Sequence, residues 1–145
     1  MRYLTIWILI LFCAAAPHQE DYCTQLSVMR GNLVAAEARE VAKLRDLEAE
    51  YAKAVEAQNE AKAAWERARD SYLCYEEGLQ PGEPVDPELS TQLYAAWQQA
   101  WIAYQVAVMN RQVCYHRLSL QFPIVQDIRK QLSSVEMQRQ FYQCE

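Results

Sequence analysis

The chain has 145 residues, 52% of them hydrophobic and 23% charged, and a formal net charge of −5. That acidic balance speaks against nucleic acid or an anionic membrane surface as a partner, because both reward clustered Lys and Arg. Three glycines and five prolines are too few for glycine-rich phosphate loops, and the recurrence of Ala, Glu, Gln, Leu and Arg belongs to long helices.

Met1 and Arg2 precede the uncharged run Tyr3 to Phe12, which continues through Cys13, Ala14, Ala15 and Ala16 to Pro17. This is the pattern of a secretory signal peptide over residues 1–15, with Cys13 and Ala15 as the small residues before cleavage after Ala15. The alternative, a lipid-modified Cys13, is opposed by bulky Phe12. The apolar run falls short of the roughly 20 residues a spanning helix needs, so no stable membrane span is expected after cleavage. The expected location is outside the cytoplasm, periplasmic or extracellular. Residues 16–145 then form a single helical domain with a net charge of about −6.

From Asp21 to Glu77 only Gly31 interrupts good helix formers, which predicts a first helix over 21–77. Gly78 stops it, and the Pro- and Gly-rich segment 78–86 is the turn. Asp86, Pro87 and Glu88 read as an N-cap, a proline at the first helical position and an acid in the first turn. A second helix follows over 87–122, Pro123 kinks or ends it, and a third helical segment covers 124–143.

Apolar positions alternate in steps of three and four: Leu44, Leu47, Tyr51, Ala54, Ala61, Trp65, Ala68, Tyr72 and Tyr75 in the first helix. The second repeats the pattern with Tyr94, Trp97, Trp101, Tyr104, Val108, Tyr115, Leu118 and Phe122. Gln58 and Arg111 are the polar members of the two seams. Folding back at the turn sets together positions whose numbers add to about 165 or 166: Trp97 on Ala68, Trp101 on Trp65, Tyr115 on Tyr51 and Phe122 on Leu44. Beyond Pro123 the seam is expected to shift by about one residue, to Val125, Ile128, Leu132 and Val135. The fold class is all-α, a long antiparallel helical hairpin or coiled coil with its second arm kinked at Pro123; the alternative is a compact three- or four-helix bundle.

Four cysteines follow the leader, and in an oxidising compartment an even number favours disulfides over metal binding. The hairpin register places Cys23 beside Cys144, which predicts a disulfide at the open end. Cys74 and Cys114 do not fit that hairpin, since the helix carries Cys114 roughly 33 Å beyond the position facing Cys74. Three explanations stand: free thiols, a break near Gln58 and Asn59 that gives a shorter bundle, or pairing between the chains of a homodimer.

Chemistry is sparse. His18 and His116 are the only histidines, neither lies in a catalytic or metal-binding spacing, and no catalytic residue, metal site or cofactor is expected. Asp46, Glu48 and Glu50, or Glu76 and Glu77, read as solvated helix faces. The candidate binding loop is Leu79, Gln80, Pro81, Glu83 and Val85, held on a rigid scaffold. Tyr22 and Tyr75 are the candidate surface aromatics, and the rings of Tyr72, Tyr94, Trp65, Trp97 and Trp101 read as core before ligand platform.

Two stretches resemble a known family. Gln98-Gln-Ala-Trp-Ile-Ala-Tyr-Gln105 with Ala107 is similar to the Gln-Arg-Ala-Trp-Leu-x-Tyr-Arg-Asp-Ala run of the LprI-type lysozyme inhibitors, which are small exported helical proteins of bacteria. Asp21-Tyr-Cys-Thr-Gln25 and Leu47-Glu-Ala-Glu-Tyr51 resemble that family's opening cysteine segment and its Leu-Asn-x-x-Tyr motif. Val106 stands where the family has Asp, and Met109 where it has Cys. The resemblance implies inhibition of a cell-wall hydrolase such as lysozyme. The residues themselves point first to a non-enzymatic exported interaction or structural protein with a protein partner, a small subunit of an extracytoplasmic assembly. A phage spanin-like protein and a periplasmic chaperone are further alternatives.

Overall fold

The computed structural model describes the backbone of residues 2–79 and 84–144 and the side chains of 20–79 and 84–144. It is an all-helical hairpin of two helices, α1 (Arg2–Gly78) and α2 (Pro87–Phe141). The chain divides into two compact units, one formed by the segments up to Leu44 and from Gln121, the other by Arg45–Leu120.

In the Arg45–Leu120 unit the two helices pack antiparallel in the expected register. Tyr72 meets Tyr94 at 5.5 Å between ring centroids, Trp65 meets Trp101 at 5.0 Å and Tyr51 meets Tyr115 at 6.0 Å. Each of these pairs adds to 166. Arg111 lifts its guanidinium to Gln58 (3.0 Å), and Arg117 bridges to Glu50 (2.7 Å), so charged stems lie across the seam with their heads in water. Trp97, expected against Ala68, stacks on Tyr72 at 5.5 Å.

The turn end is built as the sequence dictates. The Asp86 carboxylate accepts from the N–H groups of Glu88 (3.0 Å) and Leu89 (3.2 Å), capping α2. Tyr75 reaches across: its hydroxyl accepts from the Asp86 N–H (3.0 Å) and donates to the Asp86 carbonyl (3.1 Å).

The unit formed by the outer segments holds the most deeply buried side chains, Leu26, Val125 and Val135. It is tied by the Cys23–Cys144 disulfide, with Cα atoms 5.4 Å apart. Arg129 pairs with Glu37 at 2.7 Å and Arg30 with Glu136, both again in the 166 register. Helix α2 ends in a Schellman turn. Gln143 adopts φ of 54°, the Cys144 N–H donates to the Arg139 carbonyl (2.9 Å) and the Gln143 N–H to the Gln140 carbonyl (3.2 Å). That reversal turns Cys144 back toward Cys23.

Three expectations are corrected. Pro123 does not divide the second arm, because α2 is continuous to Phe141. A proline removes one N–H and crowds the carbonyl four residues before it without having to end a helix, and here its ring sits on the exposed side while Gln121 and Val125 on either flank are buried. Phe122 does not pack inward on Leu44. It is 54% exposed and Gln121 is buried in its place, donating to the Glu40 carbonyl (3.3 Å) and carboxylate (2.8 Å). The seam of α2 runs through Ala100, Ala107 and Cys114 in the Arg45–Leu120 unit and through Gln121 and Val125 in the other, and the larger rings one position on lie at its margin. Finally, α1 is unbroken through Gln58 and Asn59, which removes the compact bundle. Cys74 and Cys114 form no disulfide within the chain, the first being exposed and the second half-buried.

Candidate functional site: the aromatic groove and the outward face of α2

Within the Arg45–Leu120 unit, rings from both helices form a ladder. Trp65 stacks on Tyr104 at 5.8 Å with planes 7° apart, Trp101 packs on Tyr104 at 5.8 Å, and Tyr94 meets Trp97 edge-on at 5.8 Å. The Arg69 guanidinium lies over Trp65, 5.5 Å from the ring centroid, while also pairing with Asp70 at 2.8 Å. Tyr72 donates to Glu76, and that hydrogen bond, with partial burial and the Glu76 charge, holds its phenol above the ordinary value of 10.0. Beside the ladder lies a groove of about 310 Å³ lined by Trp65, Tyr94, Trp97, Gln98 and Trp101. The Trp97 indole Nε1 is buried without a hydrogen-bond partner.

Away from α1, α2 carries a second apolar stripe. Ile102 (61% exposed), Val106 (45%), Met109 (55%) and Val113 (58%) follow steps of four, three and four, the spacing of a packed seam with no helix of this chain upon it. Ile102, Val106 and Met109 lie in a stretch, Leu89 to Asn110, in which no residue bears a charge, and Val113 lies just beyond it, between Arg111 and Arg117. Helix α1 in the same unit is the reverse, with Glu56, Glu60, Lys62, Glu66, Arg67 and Asp70 among its charged residues. The unit thus sets a charged α1 beside an α2 whose stretch from Leu89 to Asn110 is uncharged.

Both sequence-predicted surface aromatics are half-exposed and make contacts within the chain. Tyr75 clasps the turn, and Tyr22 packs edge-on against Tyr142 at 4.7 Å with its hydroxyl 3.5 Å from Gln138. Of the candidate loop, Leu79 is half-buried and Val85 is 52% exposed, while Gln80, Pro81 and Glu83 lie outside the described residues. His116 is exposed on α2, and among the described residues no three His, Cys, Asp or Glu side chains gather as a metal site. Also among the described residues, no helix is long and apolar enough to cross a membrane.

No protein-family model, curated protein or solved structure matches the chain.

The outward stripe was missed because attention to the large rings drew the apolar pattern of α2 into one seam. Two signals mark it in the sequence: the uncharged stretch from Leu89 to Asn110, and a second set of three-and-four steps through Ile102, Val106, Met109 and Val113. A helix that packs on one neighbour needs only one such set.

Proposed function

We propose that the chain is an exported, non-enzymatic binding protein: a disulfide-clamped helical hairpin that offers the uncharged face of α2 to a protein partner. The observation that carries this reading is the exposed apolar stripe Ile102, Val106, Met109 and Val113, whose first three residues lie in a stretch without charge. A flat, neutral helix face with aromatic side chains nearby suits the central, desolvated part of a protein interface, where charged residues are depleted. Export rests on the leader-like residues 1–15 and is in keeping with the Cys23–Cys144 disulfide, which persists in oxidising compartments.

Capture of partners by the oxidised chain from its own compartment tests the reading, with Val106→Glu as the control. Partners held by the wild type and lost by the variant support it. Binding that ignores the substitution sinks it. N-terminal sequencing of the exported material should begin at Ala16.

A second reading is favoured by one coincidence of position. The stretch Gln98–Gln105, which resembles the LprI-type inhibitors, contributes Gln98 and Trp101 to the groove and Ile102 to the outward stripe. The partner is then a cell-wall hydrolase, and purified chain should slow lysozyme in a cell-wall turbidity assay. Loss of that inhibition on Ile102→Glu places it on this face.

A further inference from the structure

The stripe on α2 has the spacing, charge and area of a surface that pairs with itself. We propose that the outward face of α2 docks on the same face of a second copy of this chain, antiparallel, about a two-fold axis between Val106 and Met109. The proposal rests on the reading of that face as a protein-binding surface and names its occupant.

Spacing is the first argument. Steps of four, three and four read the same in both directions, so an antiparallel mate brings Ile102 against the partner's Val113 and Val106 against the partner's Met109. All four side chains are 45–61% exposed and none is occupied by α1.

Charge is the second. The chain is acidic, with a net charge of −5, so a self-contact made through charged surface brings like charges together. The stretch Leu89–Asn110 bears no charge and removes that obstacle. Charge also sets the direction. A parallel in-register mate brings Arg117, which flanks the stripe, beside the partner's Arg117, whereas the antiparallel mate sets it near uncharged Gln98. Antiparallel helix dipoles favour the same choice.

Area is the third. With Leu120, 58% exposed, the stripe residues expose on the order of 500 Å² per copy, so pairing buries up to about 1,000 Å², the size at which specific interfaces begin. The free thiols take no part, because Cys114 is half-buried on the side of α2 that packs on α1.

Sedimentation equilibrium of the oxidised chain from roughly 1 to 100 μM should give a dimer. Val106→Glu should weaken the dimer by about 100-fold or more, because it buries unpaired charge at the axis, and should leave helicity unchanged because the site is exposed in the single chain. In a Cys74→Ser, Cys114→Ser background, Ile102→Cys with Val113→Cys should cross-link into dimers under mild oxidation, and Ile102→Cys alone should not. A wild-type chain that is monomeric throughout, a dimer indifferent to Val106→Glu, or efficient cross-linking by Ile102→Cys alone overturns the proposal. A monomer that still loses a captured foreign partner on Val106→Glu overturns the second-copy assignment while leaving the binding face intact.

Discussion

Reduction of the Cys23–Cys144 bond tests how the outer unit is held. The disulfide spans 121 residues of sequence. In the chain-entropy treatment, opening a loop of that length returns about 5 kcal/mol of disorder to the unfolded state. For a helical domain of this size, that lowers the melting temperature by roughly 15–20 °C. The assay is a thermal melt followed by circular dichroism, comparing Cys23→Ser/Cys144→Ser with a Cys74→Ser/Cys114→Ser control that keeps the clamp. The loss should also be local at first: amide exchange should rise in the segments up to Leu44 and from Gln121 before it rises in Arg45–Leu120. A shift below about 5 °C refutes the reasoning, since the loop term then fails by most of its size. So does an equal shift in the control.

Gln143 holds a left-handed conformation at the end of α2, so Gln143→Gly should stabilise the fold by about 0.5–1 kcal/mol in a denaturant titration, with no change in helix content. Trp97→Phe removes a buried indole N–H that has no partner; its stability should stay within about 1 kcal/mol of wild type, while Trp97→Ala should cost about 2–3 kcal/mol. Glu40 is held below its ordinary carboxylate value of 4.5 by hydrogen bonds from Lys43 and Gln121, and Glu136 by its hydrogen bond from Arg30. Their folded-state values lie below the unfolded ones, so their stabilisation is complete above about pH 4.5 and is lost as pH falls through the lowered values. An acid titration of stability should therefore fall less steeply in Glu136→Gln than in wild type.

The hairpin, its register and its clamp were legible because they follow from period and punctuation. Asp86 and Pro87 specify the start of α2, and pairs such as Trp65 with Trp101 follow once the turn is placed. Of the two outcomes Pro123 allows, a kink or an end, an end is not found, since a proline's local cost says nothing of the buried Gln121 and Val125 that hold the helix on either side. Ring size misled in the same way. Phe122 looks like core by hydrophobicity, yet smaller Gln121 occupies the contact, where a slimmer side chain lets two helices approach. Tyr75 illustrates the limit of reading surface character from spacing alone. Its hydroxyl clasps Asp86, a contact across 11 residues that no periodicity encodes.

The claim that the outward face of α2 is the binding surface is tested most directly by placing a photo-activated cross-linking side chain at Met109. A second probe at Glu60, on the charged helix of the same unit, serves as its counterpart. After irradiation of the chain in its own compartment, adducts should form from position 109 and not from position 60, and their mass should separate a second copy from a foreign protein. Adducts that form from position 60 and not from 109 contradict the account.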